Sequence, residues 1–251
     1  MADARGPRVT AASGAAPSGA AMAGAPEADG PAAGALLALW NDVTPGLEPD
    51  YEQWHAGEHV PERLTVPGIE WALRFRRDDD GTGPLRQRRF LTLYGLRDVA
   101  VLESAPYRRL LAAPTPASAR MRPHLLNVSR WVCRVRERRG TGFAALPPSE
   151  AGVPTPDAAA SIAVLAVLPA GHEGPARDAL ASAESGGARQ WLLARRCPEA
   201  APLPWLAATH AAPVDGDWLA AWAVPAATSN DPRPARCAPA VRYLRLPIGA
   251  R

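Results

Sequence analysis

Trp54-His55-Ala56-Gly57-Glu58-His59-Val60-Pro61-Glu62-Arg63-Leu64-Thr65-Val66-Pro67-Gly68 concentrates more proton-transfer chemistry than any other part of this chain. Tyr51, Trp54, His55, Glu58 and His59 recur at helical spacing, and the stretch closes on a Val-Pro-Gly turn ahead of an alternating segment. Upstream, the apolar run Ala35 to Asp42 suits a buried strand, and Thr44-Pro45-Gly46 breaks it. Pro49 is well placed in the first turn of a helix, where Glu48, Asp50 and Glu52 complement the dipole. Pro61 disfavours a helical Val60, so the helix is expected to kink or end there.

Working outward, Ile69 to Arg77 reads as a second strand, with Trp71, Leu73 and Phe75 alternating with Ala72, Arg74 and Arg76. Asp78 to Pro84 reads as a solvated hairpin loop, and Arg89 to Leu96 as a third strand with Phe90, Thr92 and Tyr94 on one face. A helix is expected from Val99 to Ala112, then a proline-broken loop, then a strand from Asn127 to Arg136. The order βαββαβ is the ferredoxin-like arrangement. It partly recurs downstream. Strands are expected at Ser161 to Leu168, Arg189 to Arg196, Trp218 to Val224 and Val241 to Leu246, with a helix from Pro175 to Glu184. The second helix of this half is poorly marked, because residues 226–240 carry three prolines. The chain therefore divides into a disordered tail (1–33), a first ferredoxin-like domain (34–137), a linker (138–159) and a degenerate second domain (160–247). The fold class is α+β. One such sheet leaves an apolar face uncovered by its helices, and two facing sheets would close into a barrel.

The 251 residues are 47% hydrophobic, enough for a packed core. All 28 basic residues are arginine, which excludes Schiff-base lysine chemistry and a lysine phosphate loop. The net charge of +3 is small and the arginines mostly alternate with apolar residues, so no nucleic-acid face is expected. Cys133, Cys197 and Cys237 form no Cys-x-x-Cys pair, which argues against a disulfide framework or a zinc knuckle. No apolar run approaches the roughly 20 residues that span a bilayer, and no secretory signal is evident. A soluble cytoplasmic protein is the expectation.

Trp54-His55, Glu58-His59, Pro61-Glu62-Arg63, Val66-Pro67-Gly68, the strand ending at Tyr94, Ser104-x-x-Tyr107 and Pro114-Thr115-Pro116 follow one another in this order. Together they resemble the EthD-like branch of the dimeric α+β barrel superfamily, over about residues 35–136. The resemblance implies a barrel of paired ferredoxin-like units, formed by a homodimer or within one chain. It also implies a small-molecule substrate. Relatives in the superfamily include polyketide cyclases, muconolactone isomerases, quinol-forming monooxygenases and haem enzymes, so it narrows fold far more than chemistry. The second half repeats none of the histidine motif and reads as a structural partner.

His55 and His59, four apart, project from one helical face. His59 is the candidate general base, Glu58 the carboxylate that orients it, and His55 a second acid. Asn41, Arg74 and Tyr94 are candidate donors to a substrate oxygen. The alternative for each is structural: a helix cap, a strand end, or an outward arginine paired with a helix carboxylate. His55-Ala56-Gly57-Glu58-His59 also spells the inverted zinc-peptidase signature, but Gly57 and Pro61 interrupt the helix such a site needs. No metal is expected. His124 is either a haem ligand or an exposed loop residue. The expected function is a cofactor-independent acid/base enzyme (isomerase, cyclase, dehydratase or decarboxylase) acting on a small aromatic or polyketide-like compound. The alternatives are a monooxygenase with or without haem, and a non-catalytic ligand-binding barrel.

Overall fold

The computed structural model describes Met1 and residues 33–77, 88–140, 161–168, 173–207, 210–211, 213–225, 241–246 and 248. The expected tail, hairpin loop and proline-rich segment 226–240 lie outside these residues, as does most of the expected linker. Among the described residues eight strands run antiparallel: β1 (Ala35–Val43), β2 (Ile69–Arg77), β3 (Phe90–Leu96), β4 (Leu125–Arg139), β5 (Ser161–Leu168), β6 (Gln190–Arg196), β7 (Trp218–Pro225) and β8 (Val241–Leu246). Hydrogen bonding orders them β1-β3-β2-β8-β5-β7-β6-β4, and β4 returns to β1 to close a barrel. In the first half the spatial order is β4-β1-β3-β2; in the second it is β8-β5-β7-β6, the same permutation. Tandem ferredoxin-like units thus close one barrel within one chain. They join where β2 pairs β8 (Arg74 with Leu246) and where β4 pairs β6 (Cys133 with Arg196).

Strand alternation sorts the core into two layers. Leu36, Ala38 and Trp40 of β1, Leu73 and Phe75 of β2 and Trp131 of β4 pack with Leu192, Leu219, Ala221 and Tyr243 of the other half. Residues from opposite walls meet only in the lumen, so the lumen is filled, as expected for eight strands. Trp40 and Trp131 meet there edge to face, with ring centroids 5.7 Å apart. Trp71 lies against Gly95 so closely that a Cβ at that position would fall 2.1 Å from its ring.

The other strand faces carry the helices. Leu37, Ala72, Tyr94 and Val132 pack outward under Val60, Val66, Val101, Leu102 and Tyr107. The first crossover comprises α1 (Glu48–Trp54), a π-helical turn (His55–His59) and α2 (Val60–Arg63). Against expectation, Val60 is helical (φ −67°, ψ −47°) although a proline follows it. In a regular α-helix the Pro61 ring would clash with the carbonyl four residues back. The π turn widens the path, and the Val60 N–H reaches His55 O instead.

The second crossover also departs from the single helix expected over Val99 to Ala112. A 3₁₀ segment (Val99–Glu103) precedes α3 (Ala105–Ala112), because Ser104 is extended and its hydroxyl accepts from Tyr107 N–H as an N-cap. The proline-broken loop is in fact a short helix, α4 (Pro116–Met121), capped by Thr115. β4 continues to Arg139, past the expected start of the linker. In the second half α5 (Glu173–Ser185) covers the outer face through Ala176, Ala179 and Leu180 against Leu193, Trp218 and Trp222.

Candidate active site

The cavity lies between the first sheet and its helices, outside the filled lumen. Leu39 and Asn41 of β1 and Thr92 of β3 form its floor; Tyr51, Trp54, His55, His59 and Arg63 form one wall. Tyr107, Leu111 and Arg122 close another side, and Leu203 and Trp205 come from the second half of the chain. The space within it that the centre of a water molecule can reach is about 60 Å³.

The π turn shapes the wall. Its wider pitch sets residues four apart nearly over one another, so the His55 and His59 rings stack at 5.2 Å with an interplanar angle of 26°. Tyr51 stacks on the other face of His55 at 5.0 Å, and Trp54 lies 4.6 Å from His59. The Tyr51 hydroxyl donates to Asn41 Oδ1 at 3.1 Å, and Trp54 Nε1 donates to Ser118 Oγ at 3.2 Å. These two bonds tie the helix to β1 and α4.

Arg74 is on the outer face of β2, beneath the helix. Its Nε donates to His55 Nδ1 across 2.8 Å. A guanidinium is always protonated, so Nδ1 must hold a lone pair and His55 is neutral with its proton on Nε2. Burial, then the neighbouring His59, Arg74 and Arg63, hold the His55 pKa well below its ordinary value. His59 is likewise held far below its ordinary value, by burial first and then by Arg63, Arg122 and Arg74. His59 is half-buried as a residue, yet its Nδ1 is fully enclosed and has no hydrogen-bond partner among the described residues. A neutral imidazole therefore stands at the cavity, in the field of three arginines.

Two expected site residues are elsewhere. Glu58 does not orient His59; its Oε1 accepts from the hydroxyl of Thr115, whose oxygen also accepts from Ser118 N–H at 3.1 Å. The carboxylate thus anchors the start of α4. Tyr94 is buried in the core with Val101, Tyr107 and Val132, and does not line the cavity. One pleat along the same strand face, Thr92 lines it instead. His55, His59 and Asn41 line the cavity together, whereas Arg74 is outside the lining and meets it only through His55 Nδ1.

Arg63, Arg122, Trp205 and Leu203 were missed. Arg63 is 5% exposed and pairs with Glu62 at 3.0 Å. Its place in Pro61-Glu62-Arg63, directly after the histidines, was the available signal. Arg122 sits in Met-Arg-Pro-His, with no periodicity to mark it. Its Nη2 donates to Leu111 O at 3.3 Å, and its guanidinium lies 5.0 Å over the Trp205 ring. The Trp205 segment is held over β4 by Arg130 Nη1 donating to Ala201 O at 2.6 Å and by Val128 N–H donating to His210 O at 2.8 Å. The second half therefore completes the site of the first.

His124, the expected haem-ligand candidate, does not line the cavity; its Nδ1 lies 3.4 Å from Thr44 Oγ1. Nor do the described residues gather three or more metal-ligating side chains at one place. No helix among them is long and apolar enough to cross a membrane.

No family model matches the chain, and no curated protein matches it significantly. Solved structures do. An anthrone oxidase-like protein aligns over 84% of this chain and 90% of its own, at 12% identity and a TM-score of 0.50. A monooxygenase-like protein of Fusobacterium nucleatum subsp. nucleatum aligns over 86% and 94%, at 10% identity and 0.51. A chlorite dismutase-like protein aligns over 86% and 95%, at 11% and 0.46. At these identities the likeness is one of fold.

Proposed function

We propose that this chain is a cofactor-independent enzyme that removes a proton from a small, flat, enolisable or phenolic molecule held between the first sheet and its helices. The carrying observation is His59 in the cavity lining, held neutral by burial and by the guanidinium groups of Arg63, Arg122 and Arg74. A base with so low a pKa is weak alone. The same arginines that lower it also lower the pKa of a substrate proton, by stabilising the anion that forms. In the proposed step His59 takes the proton and the C–H or O–H electron pair stays on the substrate, delocalised onto oxygen. The resulting imidazolium is tolerable only because that anion lies among Arg63, Arg122 and Arg74. Return of the proton to another atom completes an isomerisation; loss of a leaving group completes an elimination. His55, neutral with its proton on Nε2, serves as a hydrogen-bond donor, and Asn41 and Thr92 supply further polar contacts. The EthD-like motifs over residues 54–116 support a site on this helix.

A second reading uses the same anion. The names of the anthrone oxidase-like and monooxygenase-like neighbours favour its reaction with dioxygen, in which a ring CH₂ becomes C=O and the second oxygen atom leaves as water. One assay separates the two. Anthrone-type compounds incubated in D₂O are followed for deuterium exchange and for oxygen uptake. Exchange without uptake supports acid/base chemistry alone, and uptake supports oxygenation. In either case His59→Ala should lose the activity while keeping its melting temperature within a few degrees. Undiminished exchange or uptake in a folded His59→Ala protein removes His59 as the base.

A further inference from the structure

We infer that the ligand of this cavity carries a permanent negative charge, a carboxylate on an aromatic frame, and that Arg122 is its recognition residue. The inference rests on the proposed site but not on the proposed reaction. Three guanidinium groups act on the cavity against two carboxylates: Glu62, paired with Arg63 at 3.0 Å and also acting on Arg122, and Glu52, which acts on Arg74 and pairs with Arg76 at 3.7 Å. Arg122 has no carboxylate partner among the described residues. Its contacts are one backbone carbonyl, Leu111 O, and the face of Trp205.

A planar guanidinium with five N–H donors, one of them used, is built to take a carboxylate with a parallel pair of bonds. The Trp205 ring beneath it fixes the guanidinium plane without consuming a donor, which leaves its edge for a ligand. A neutral ligand would displace water from Arg122 and Arg63 and return no compensating charge, an unfavourable exchange. The excess positive charge is also present before any proton moves. A transient enolate alone would leave it uncompensated in the bound ground state. The aromatic rings of Tyr51, Trp54, Trp205 and Tyr107, with Leu39 and Leu111, suit the flat apolar remainder of such a molecule.

The test compares two isosteric fluorescent probes, 2-naphthoate and 2-naphthamide, by titration against the full-length protein. Naphthoate should bind about tenfold more tightly or better, as expected for hydrogen bonds to a charged group, and its advantage should shrink as salt is raised. Arg122→Gln should bring the two probes to equal affinity. Arg122→Lys should keep part of the preference, since it retains charge without the planar fork. The wild-type comparison stands even where a variant does not fold. Equal affinity in the wild-type protein, or a naphthoate preference undiminished in a folded Arg122→Gln protein, overturns the proposal. His59→Ala should preserve the preference, so failure of charge recognition and failure of the base assignment read out separately.

Discussion

Arg74 Nε stands 2.8 Å from His55 Nδ1, a strand arginine donating to a helix histidine across the floor of the cavity. The bond joins β2 to the π turn and selects one imidazole tautomer. Protonating His55 would break it and place two cations in contact. The stacked His59, 5.2 Å away, feels the same arginine field.

Both histidines should therefore remain neutral in the folded protein at pH values where they are protonated in the unfolded chain. Their folded pKa values are lowered, so as pH falls below about 6.5 the unfolded state binds protons that the native state refuses. Stability should then fall with decreasing pH, by up to about 1.4 kcal/mol per pH unit for each histidine, until the folded pKa values are reached. Urea denaturation between pH 7.5 and 5 measures this. His55→Gln with His59→Gln should flatten the slope in that window; an unchanged slope would place the titration elsewhere.

Glu58 is expected to matter for stability rather than turnover. Glu58→Gln weakens its bond to Thr115, and Thr115→Ala removes both that bond and the cap on Ser118 N–H. Thr115→Ala should cost about 1–2 kcal/mol, the usual worth of an N-cap, while Glu58→Gln keeps naphthoate affinity within about twofold, well under 1 kcal/mol. A large loss of affinity in a stable Glu58→Gln protein would return the carboxylate to the site.

Two glycines should respond in opposite directions. Gly57 is in the π turn with open space where a Cβ would go. Gly57→Ala should stabilise by about 0.5–1 kcal/mol through lower unfolded-state entropy. Gly95→Ala drives a methyl into the Trp71 ring in a packed lumen and should destabilise by about 1–3 kcal/mol or more. Thermal melts of the two variants decide both.

Trp205 tests the contribution of the second half. Trp205→Ala removes the ring under Arg122 and part of the cavity wall. The barrel does not depend on it, so the far-ultraviolet circular dichroism should stay unchanged. Naphthoate affinity should fall by about threefold to thirtyfold, in line with a partly desolvated cation–π contact. Unaltered affinity would mean that the second half closes the barrel and contributes nothing to binding.

Much of the architecture was legible because it depends on short-range periodicity. Trp71, Leu73 and Phe75 alternate with Arg74 and Arg76, and that alternation alone separates lumen from helix layer on β2. The repeated strand order of the second half was readable for the same reason, although its helix motif had vanished. The breaks were harder. Ser104 and Thr115 act through one hydroxyl each, a signal that is easily lost beside neighbouring prolines. The π turn depends on how Pro61 and the preceding carbonyls share space, which no propensity for Val60 reports.

Within the site, local spacing was enough to put His55 and His59 on one face, and strand alternation was enough to turn Asn41 and Arg74 the same way. Their chemical states are another matter. Only the folded chain decides that His55 accepts from Arg74, that Glu58 belongs to Thr115, and that Thr92 rather than Tyr94 reaches the cavity. Arg122 and Trp205 are 83 positions apart in the numbering and meet only because the barrel closes. Periodicity is carried by neighbours in the chain, whereas burial, tautomer and charge balance are set by residues that arrive from distant elements.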